Sequence, residues 1–357
     1  MRTKEYAPEA ALFPTSTDRH EPIKVKPRLP RRDFLSLLGA TAAAALTSSF
    51  SASALAAAQT SAPESHTPRL KSPFRVSVIN DEISQDFGRA CEVASREFGM
   101  EWIEPRGMWK KNIINLDASE IAETQRILKK YQLRVTDIAS PLFKVDWPGA
   151  PRSKYSTSDD FHADFKFAQQ DEVLDRAIEL AKTFRTDRVR CFDFWRLDDP
   201  APHRAAINAK LLEAAGKAGK QGIILLLEND VGLNTATGAE AAKVLKAVNS
   251  PSLMLNWDPG NAAAAGEIPY PDGYHLLPKD RIGHCHCKDV VRRGKDDWAA
   301  MGKGVVDWAG QFAAFKRDGY HYAVSLETHW DGGGTPEKST RQSWAGMKEL
   351  LQRAGTL

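Results

Sequence analysis

The sequence predicts one α/β domain folded as a closed (β/α)₈ barrel, the TIM barrel, after an N-terminal signal segment. Eight short apolar runs rich in β-branched residues each precede a stretch with helical periodicity, and strands that alternate with helices form parallel sheets. The eight units occupy residues 73–357, close to the ~250 residues typical of this barrel. The first run ends in Asp81-Glu82-Ile83-Ser84-Gln85 without a glycine, which disfavours an open doubly wound sheet with a phosphate-binding turn.

The strands are assigned to the eight apolar runs. In chain order these are Arg75–Asn80, Glu101–Glu104, Arg134–Ala139, Arg188–Phe192, Ile223–Glu228, Leu253–Asp258, Ile282–Cys287 and Ala323–Glu327. Helices are predicted between them: residues 172–181 have apolar side chains at helical spacing, and residues 237–248 begin with a threonine cap ahead of Glu240. The connection from Pro141 to Asp160 is long and rich in Pro, Gly, Ser and Asp. A loop of this length is typically functional, often a lid.

The first 58 residues are typical of a twin-arginine export signal. Arg31-Arg32-Asp33-Phe34-Leu35 matches the twin-arginine pattern, a 13-residue apolar run follows from Phe34 to Leu46, and Ser53-Ala54-Leu55-Ala56-Ala57-Ala58 has the small residues of a cleavage site. The apolar run is shorter than the ~20 residues of a membrane-spanning helix. We expect a signal peptide over residues 1–58, a linker over residues 59–72, and a periplasmic or otherwise exported domain. An uncleaved membrane anchor and a disordered tail are the alternatives.

Charge and cysteine content bear on the partners and the state of this domain. The chain has 49 Lys and Arg and 46 Asp and Glu; the first 58 residues hold eight and five of these, so residues 59–357 hold 41 of each. A neutral domain lacks the overall field that attracts nucleic acid. Cys91, Cys191, Cys285 and Cys287 are predicted to be buried thiols, since Cys285 and Cys287 share one face of a strand and buried thiols behave as small apolar groups.

A carboxylate or an imidazole ends each of the last four predicted strands. The residues at these positions are Glu228, Asp258, His286 and Glu327, and active-site residues of a barrel lie at the carboxyl ends of its strands. Three carboxylates that converge on one point require a cation to offset their repulsion. One imidazole with three carboxylates suits Mn²⁺, Mg²⁺ or Co²⁺ better than a metal that prefers thiolates, with Zn²⁺ as a further alternative. For each residue alone, a helix cap or a solvated loop position is the alternative interpretation; His284, deeper on the same strand face, is expected to support His286.

Several motifs together resemble the xylose-isomerase-like sugar phosphate isomerase/epimerase superfamily. They are Asp81-Glu82-Ile83-Ser84, Ile103-Glu104-Pro105-Arg106, Glu228-Asn229, Asp258-Pro259-Gly260-Asn261, His284-x-His286-x-Lys288-Asp289, Gly302-Lys303-Gly304-Val305-Val306-Asp307-Trp308 and Ser325-Leu326-Glu327-Thr328-His329. The resemblance covers residues 74–357 and implies a TIM barrel with one divalent ion, often Mn²⁺, held at the positions of Glu228, Asp258, His286 and Glu327. In the ketose 3-epimerases of this superfamily the two glutamates also act as the acid/base pair. The substrate-binding histidine of those epimerases is replaced here by Asn261.

Seven residues are predicted to bind substrate, because they lie at strand ends or in loops at the same end of the barrel. They are Glu104, Arg106, Asn261, His284, Lys288, Trp109 and Trp330. An indole face can line a sugar pocket, but loop packing explains Trp109 and Trp330 equally well. Glu104 could instead pair with Arg106, and a solvated side chain is the commoner state for a lysine such as Lys288.

The expected function is that of a metal-dependent sugar isomerase or epimerase, in which Glu228 and Glu327 remove and return a proton next to a carbonyl. A metal-dependent keto-glycoside lyase or hydrolase and a non-catalytic carbohydrate-binding barrel are the alternatives. A nuclease of the same fold is disfavoured, because the second and third strand ends supply no histidine for a three-metal site. The expected partners are a small carbohydrate and, during export, the twin-arginine translocase, with no nucleic acid and no membrane span after cleavage. Assembly into a homo-oligomer stays open.

Overall fold

The fold is that of a computed structural model, which describes residues 67–157 and 163–357. The predicted signal peptide and residues 59–66 of the predicted linker lie outside the described residues. The rest of the linker lies against the barrel: the Thr67 N–H donates to the Arg96 carbonyl at 2.9 Å, and the Leu70 N–H donates to the Gly99 carbonyl at 3.0 Å. Among the described helices, none is both long and apolar enough to cross a membrane.

Eight parallel strands form the barrel, one for each predicted apolar run. They are β1 (Arg75–Val78), β2 (Trp102–Ile103), β3 (Arg134–Val135 and Ile138–Leu142), β4 (Arg188–Cys191), β5 (Ile224–Glu228), β6 (Leu253–Trp257), β7 (Ile282–Cys287) and β8 (Ala323–Leu326). Strands β3 to β8 pair in sequence order, and β8 pairs with β1. The ring closes through β2, which pairs with the first segment of β3, while Glu104 directly after β2 forms a parallel bridge with Ile79. The predicted (β/α)₈ barrel is confirmed.

The third strand differs from its prediction, which ended it at Ala139. Its second segment continues through Pro141 to Leu142 and pairs with β4. Proline is tolerated at this point because the register between the two strands shifts between Ile138 and Leu142, so the regular ladder is already interrupted. The end of the strand is anchored by the Phe192 N–H, which donates to the Leu142 carbonyl at 2.9 Å.

Helices surround the barrel and are numbered in chain order. They are α1 (Phe87–Glu92), α2 (Ala118–Tyr131), α3 (Gln170–Thr183), α4 (Arg204–Gly219), α5 (Gly238–Ala247), α6 (Pro259–Ala264), α7 (Trp308–Arg317) and α8 (Pro336–Arg353). Shorter helical turns are Asn80–Ile83, Val93–Glu97, Ile113–Asn115, Phe167–Gln169, Pro269–Gly273, Tyr274–Leu276 and Lys279–Arg281, and two hairpins pair Gly107–Met108 with Lys111–Asn112 and Asp289–Val290 with Trp298–Ala299. The predicted cap of α5 is confirmed, because Thr237 and Glu240 form a reciprocal capping box.

The side chains of β7 show how the barrel separates an apolar layer from a polar interior. Cys285 and Cys287 belong to the same hydrophobic core as Trp257, between strands and helices. All four cysteines are buried free thiols, as predicted. The alternate residues of the strand, His284 and His286, are also fully buried but contact carboxylates. The period-2 alternation of β7 therefore carries the histidines into the barrel interior.

Candidate metal centre

The four predicted ligands come together at the carboxyl end of the barrel. Glu228 ends β5, Asp258 and Glu327 directly follow β6 and β8, and His286 lies in β7. Nδ1 of His286 is 3.1 Å from Oε1 of Glu228, 3.2 Å from Oε2 of Glu327 and 4.0 Å from Oδ2 of Asp258. One possible ligand atom from each residue lies within 4.8 Å of all the others. A single divalent ion can bridge atoms at this spacing.

Asp258 is positioned by the turn in which it lies. Its carboxylate caps α6 by accepting from the Asn261 N–H at 2.8 Å. The Asn229 side chain accepts from the Asp258 N–H and donates to the Asp258 carbonyl, both at 2.8 Å. Gly260 is required because a Cβ there would lie 2.8 Å from the carbonyl oxygen of Lys288. The Asp-Pro-Gly-Asn sequence therefore fixes this carboxylate close to Lys288.

Lys288 is enclosed between two of the carboxylates. Its Nζ is 2.7 Å from Oε2 of Glu327 and 3.0 Å from Oδ2 of Asp258, and its side chain is 2% exposed. Burial lowers the pKa of Lys288, but the two carboxylates outweigh burial and hold the pKa above its ordinary value. The ammonium group therefore stays charged and fixes the direction of both carboxylates.

Arg106 joins Glu327 to the end of β1. It donates from Nη1 to Oε1 of Glu327 and from Nη2 to Oε1 of Glu82, both at 2.8 Å, and from Nε to Oδ1 of Asp81 at 3.0 Å. The sequence predicts that Arg106 binds substrate or pairs with Glu104. The structure shows it holding one oxygen of Glu327 while the other oxygen faces the ligand cluster.

Arg190 has the same relation to Glu228. Its Nη1 donates to Oε2 of Glu228 at 3.2 Å, and its side chain is 5% exposed. The other oxygen of Glu228 faces His286. Each of the two glutamates therefore turns one oxygen to an arginine and the other to the imidazole, an orientation that preorganises both carboxylates.

The permanent charges around the four predicted ligands do not balance. One network of hydrogen bonds and ion pairs connects seven carboxylates whose side chains are at most 9% exposed: Asp81, Glu82, Glu104, Asp137, Glu228, Asp258 and Glu327. Among the residues that the structure describes, the permanent cations of this network are Arg106, Arg190 and Lys288. Buried carboxylates in such excess require imidazolium or a bound cation. The oxygen-rich donor set with one imidazole fits a divalent ion such as Mn²⁺ or Mg²⁺.

The pKa shifts separate Asp258 from the two glutamates. Burial raises the pKa of Glu228, but its positively charged neighbours, His286 foremost, together outweigh burial and lower this pKa to about 2. The pKa of Glu327 is also lowered, because its positively charged neighbours, Lys288 foremost, together outweigh burial. Burial raises the pKa of Asp258 to about 6 although Lys288 opposes the shift. At neutral pH both glutamates are ionised. Burial lowers the pKa of His286, but the surrounding carboxylates outweigh burial and raise it, so the protons of His286 and Asp258 compete with a metal ion.

A second layer of polar side chains lies directly beneath His286. Nε2 of His286 is 3.0 Å from Oε1 of Glu104, and Oε2 of Glu104 is 3.0 Å from Nε2 of His284. Nδ1 of His284 is 3.5 Å from Oδ1 of Asp137, and all four side chains are 0% exposed. A carboxylate in this position fixes the ring orientation and the tautomer of a metal-binding histidine. Glu104 and His284, both predicted to bind substrate, thus lie below the ligand cluster, and His284 reaches His286 through Glu104.

The remaining predicted substrate residues have different surroundings. Asn261 donates to Oδ2 of Asp258 at 2.9 Å and therefore supports a ligand. Trp109 packs against the edge of Phe87, with 6.4 Å between ring centres. Trp330 lines a cleft of about 470 Å³ between the loops that follow β1 and β8. Of these three residues, Trp330 is the one that lines this cleft.

Five residues of the site were missed by the sequence-based prediction. They are Asp81, Glu82, Asp137, Arg190 and His329. Asp81 and Glu82 follow β1 and His329 follows β8, so the rule that strand ends carry active-site residues could have found them. Arg190 lies within β4, and Asp137 lies between the two segments of β3. Alternation with Cys191, which belongs to the apolar core, could have marked the inward direction of Arg190, whereas no local signal marks Asp137.

Gly302-Lys303-Gly304 forms a turn, and its backbone amides are engaged. Oδ2 of Asp289 accepts from the Gly302 N–H at 3.1 Å and from the Gly304 N–H at 3.0 Å. Oδ1 of the same residue accepts from the Val306 N–H at 3.1 Å. The amides that could cradle a phosphate are therefore held by a carboxylate.

The described part of the long connection after β3 is hydrogen-bonded to the loop after β4. The Trp195 N–H donates to the Val145 carbonyl at 3.0 Å, and the Ser153 hydroxyl donates to the Arg196 carbonyl at 2.7 Å. This part of the connection therefore forms one wall of the barrel mouth. Its role as a lid stays a prediction.

Sequence comparison identifies the family of this barrel. Residues 93–350 match the family model described as "Xylose isomerase-like TIM barrel". The chain belongs to this family. No curated protein shows significant sequence similarity to the chain. The resemblance drawn from the strand-end motifs is therefore confirmed at the level of the family.

Solved structures share the fold of this xylose isomerase-like barrel. The probable 3-DHS dehydratase AsbF of Bacillus anthracis, involved in petrobactin synthesis, is 20% identical with a TM-score of 0.60, covering 78% of this chain and 99% of its own. D-allulose 3-epimerase from Methylomonas sp. is 20% identical with a TM-score of 0.57, covering 80% and 99%. A xylose isomerase domain protein from Planctomyces limnophilus is 14% identical with a TM-score of 0.59, covering 82% and 100%. At these identities the likeness shows the fold, and the activity must be argued from the site.

Proposed function

We propose that the protein is a divalent-metal-dependent sugar isomerase or epimerase, which removes and returns a proton at a carbon next to a carbonyl. The observation that carries the proposal is the placement of Glu228 and Glu327. Both approach Nδ1 of His286, at 3.1 and 3.2 Å, yet they come from β5 and β8, three strands apart around the barrel. Two ionised carboxylates on different sides of one site can act on opposite faces of a sugar carbon.

The cation is assigned to the four converging residues. Glu228, Asp258, His286 and Glu327 would hold it, and the excess of buried carboxylates supports this assignment. A bound divalent cation supplies Lewis acidity, which polarises sugar oxygens and acidifies the neighbouring C–H group. The oxygen-rich donors favour Mn²⁺, followed by Mg²⁺, Co²⁺ or Zn²⁺. Family structures described as ketose 3-epimerases support the same assignment of reaction class.

Glu228 and Glu327 are available as bases because their lowered pKa values keep both carboxylates ionised at neutral pH. At neutral pH either carboxylate can accept a proton from the sugar carbon. For epimerisation, the opposite glutamate must first take up a proton from solvent, which it then donates to the other face of that carbon. For isomerisation, the glutamate that accepted the proton returns it to the neighbouring carbon. Arg190 and Arg106 hold the glutamates in place by binding the outer carboxylate oxygens.

Cleavage of a keto-glycoside is the second candidate, because it begins with the same proton removal. Such an elimination also needs space for a leaving group beside the base. The cleft between the loops after β1 and β8 provides about 470 Å³, and its wall residue His329 places Nε2 3.2 Å from Oε1 of Glu327. A barrel that only binds carbohydrate is less well supported, since binding alone does not require two ionised carboxylates in the site.

Proton exchange with solvent tests the proposed reaction. The Mn²⁺-loaded protein is incubated in D₂O with free aldoses, free ketoses and 3-keto-glycosides, and the products are followed by NMR. We expect deuterium at the carbon next to the carbonyl, together with an epimer, an isomer or a cleavage product. His286→Ala should abolish the exchange, whereas His321→Ala, an exposed histidine outside the site, should not. A wild-type protein that binds Mn²⁺ but exchanges no proton in any of these sugars would contradict the proposal.

Export through the twin-arginine route is a separate proposal, which depends on Arg31, Arg32 and the apolar run after them. Replacing both arginines with lysine keeps the charge and removes the recognised pair. We expect the double variant to stay in the cytoplasm, as measured by fractionation of cells that express the full chain. Unchanged export of the double variant would exclude the twin-arginine translocase as a partner.

A further inference from the structure

A cleft of about 470 Å³ lies beside the proposed proton-transfer pair, between the loops that follow β1 and β8. The wall residues that matter here are Asp81, Glu82, His329, Trp330 and Asp331. The cleft adjoins Glu327, because Nε2 of His329 is 3.2 Å from Oε1 of that residue. None of these five wall residues is one of the four proposed metal ligands. The cleft is therefore a separate space next to the proposed metal centre.

Arg106 forms the partition between the cleft and the ligand cluster. It contacts Glu82 on the cleft side and Glu327 on the cluster side, both at 2.8 Å. The two glutamate side chains are 9% and 3% exposed, so the partition is packed and preformed. A molecule bound by the ligand cluster could therefore reach the cleft only with a part that extends past Glu327.

The chemistry of the cleft suits a neutral polyhydroxylated group. Carboxylate oxygens accept hydrogen bonds from hydroxyl groups, and Asp331 is exposed at the rim. Trp330 is partly buried and supplies an indole, whose apolar face can pack on the C–H face of a sugar ring. Three carboxylates, Asp81, Glu82 and Asp331, line the wall against the one guanidinium of Arg106 that pairs with the first two, and this excess of negative charge disfavours phosphate or carboxylate ligands.

We infer that this cleft is a subsite for a second, neutral sugar unit, so that the substrate is a glycoside with at least two units. A free monosaccharide or a sugar phosphate would leave the cleft empty or be repelled by it. The inference rests on the proposed function, because it places the reacting sugar at the ligand cluster. It adds the substrate class, which the four ligands alone do not define.

Binding of simple sugars tests the subsite without requiring turnover. The Mn²⁺-loaded protein is titrated with glucose and with the neutral disaccharides cellobiose, maltose, lactose and trehalose, and dissociation constants are measured by NMR saturation transfer and calorimetry. We expect at least one disaccharide to bind about tenfold more tightly than glucose, the effect of one well-packed aromatic contact. Trp330→Ala should remove this preference, and Trp330→Phe, which keeps a ring face, should restore most of it.

Controls separate the subsite from the fold and from the metal centre. Asp331→Asn should lower disaccharide affinity several-fold, whereas Asp296→Asn, an exposed aspartate outside the cleft wall, should change nothing. If Trp330→Ala lowers the melting temperature sharply, the comparison of Asp331→Asn with its control Asp296→Asn decides whether the subsite exists. Equal affinity for glucose and every disaccharide, or a preference that survives both Trp330→Ala and Asp331→Asn, would overturn the subsite. The Mn²⁺ affinity measured on the same samples reports on the proposed function alone, so the two proposals can fail independently.

Discussion

The two ends of the barrel carry opposite excesses of charge and manage them differently. At the carboxyl end, seven buried carboxylates share one network with three permanent cations. At the amino end, three arginines stack on two aromatic rings. The guanidinium carbons of Arg75 and Arg134 lie 4.8 and 4.0 Å from the ring centre of Trp102, and that of Arg188 lies 4.3 Å from the ring centre of Tyr322.

The difference shows which excess of charge requires a ligand. The stacked arginines need no further ion, because an aromatic face attracts a cation and because Arg134 and Arg188 also form ion pairs with Glu101 and Asp187. Buried carboxylates have neither aromatic partners of that kind nor water, so their repulsion must be met by protons or by a bound cation. We therefore expect chemistry and metal binding to depend on the carboxyl end and only stability to depend on the amino end.

The largest effect is expected from the removal of one carboxylate charge at the proton-transfer pair. Glu327→Gln keeps the shape of the side chain, so the fold should persist, but acid/base help worth ~10²–10⁴-fold in turnover should be lost even at saturating Mn²⁺. Turnover and circular dichroism are measured together. Glu349→Gln, an exposed glutamate in α8, is the matched control and should be fully active. A Glu327→Gln variant within tenfold of wild-type turnover would show that this carboxylate transfers no proton.

A smaller effect is expected one layer below the ligands. Glu104→Gln removes the charge that faces Nε2 of His286 at 3.0 Å. Loss of such a supporting carboxylate typically weakens metal affinity ~10–100-fold. Calorimetric titration with Mn²⁺ measures this change, and Glu101→Gln, an exposed ion-paired glutamate on the amino side of β2, is the control. An unchanged Mn²⁺ affinity in Glu104→Gln would show that metal binding depends on the four ligands and not on the carboxylate beneath them.

The pH dependence of stability should reveal the carboxylate farthest below the cluster. Burial raises the pKa of Asp137 to about 6, with Glu104 adding to the shift. The folded state thus favours the protonated acid, and this contribution to stability is present below about pH 4 and is lost as the pH rises through about 6. Asn cannot ionise, so the free energy of unfolding of Asp137→Asn minus that of wild type should grow by on the order of 2 kcal/mol between pH 4 and pH 7. Urea unfolding of the metal-free proteins measures this difference in free energy. A difference that does not change with pH would show that folding does not raise the pKa of Asp137.

The smallest effect is expected at the amino end. Burial and the neighbouring Arg188 lower the pKa of Arg75, so its charge is held under repulsion. Arg75→Met keeps most of the apolar contact with Trp102 and should change the free energy of unfolding by less than about 1 kcal/mol. Turnover and Mn²⁺ affinity should equal those of wild type. A loss of metal binding in this variant would break the distinction between the two ends.

The sequence was informative where one local rule decides the outcome. Period-2 alternation in β7 predicted that His284 and His286 share the interior while Cys285 and Cys287 enter the apolar layer, and the structure confirms this. The strand-end rule brought Glu228 and the other three predicted ligands to one place. These predictions required only the strand boundaries and the closure of the barrel.

The sequence was less informative where depth inside the barrel decides the outcome. Glu104 ends its strand like the ligands, but it lies below them, because β2 is short and meets β1 through a single bridge. Asp137 enters the network through the break in β3, which the sequence pattern did not mark. Arg190 has its partner, Glu228, on the adjacent strand. Such contacts depend on strand stagger, which a single sequence does not specify.

The location of the ion in a crystal of the Mn²⁺-loaded protein tests the central claim most directly. Anomalous diffraction at the manganese edge identifies the metal without reference to activity. We expect one strong peak per chain, bound by Glu228, Asp258, His286 and Glu327. Two neighbouring clusters offer competing sites, Glu104 with the two β7 histidines and Glu82 with Glu327 and His329. A peak at either of these instead, or no peak in crystals grown at saturating Mn²⁺, would contradict the assignment of the metal centre.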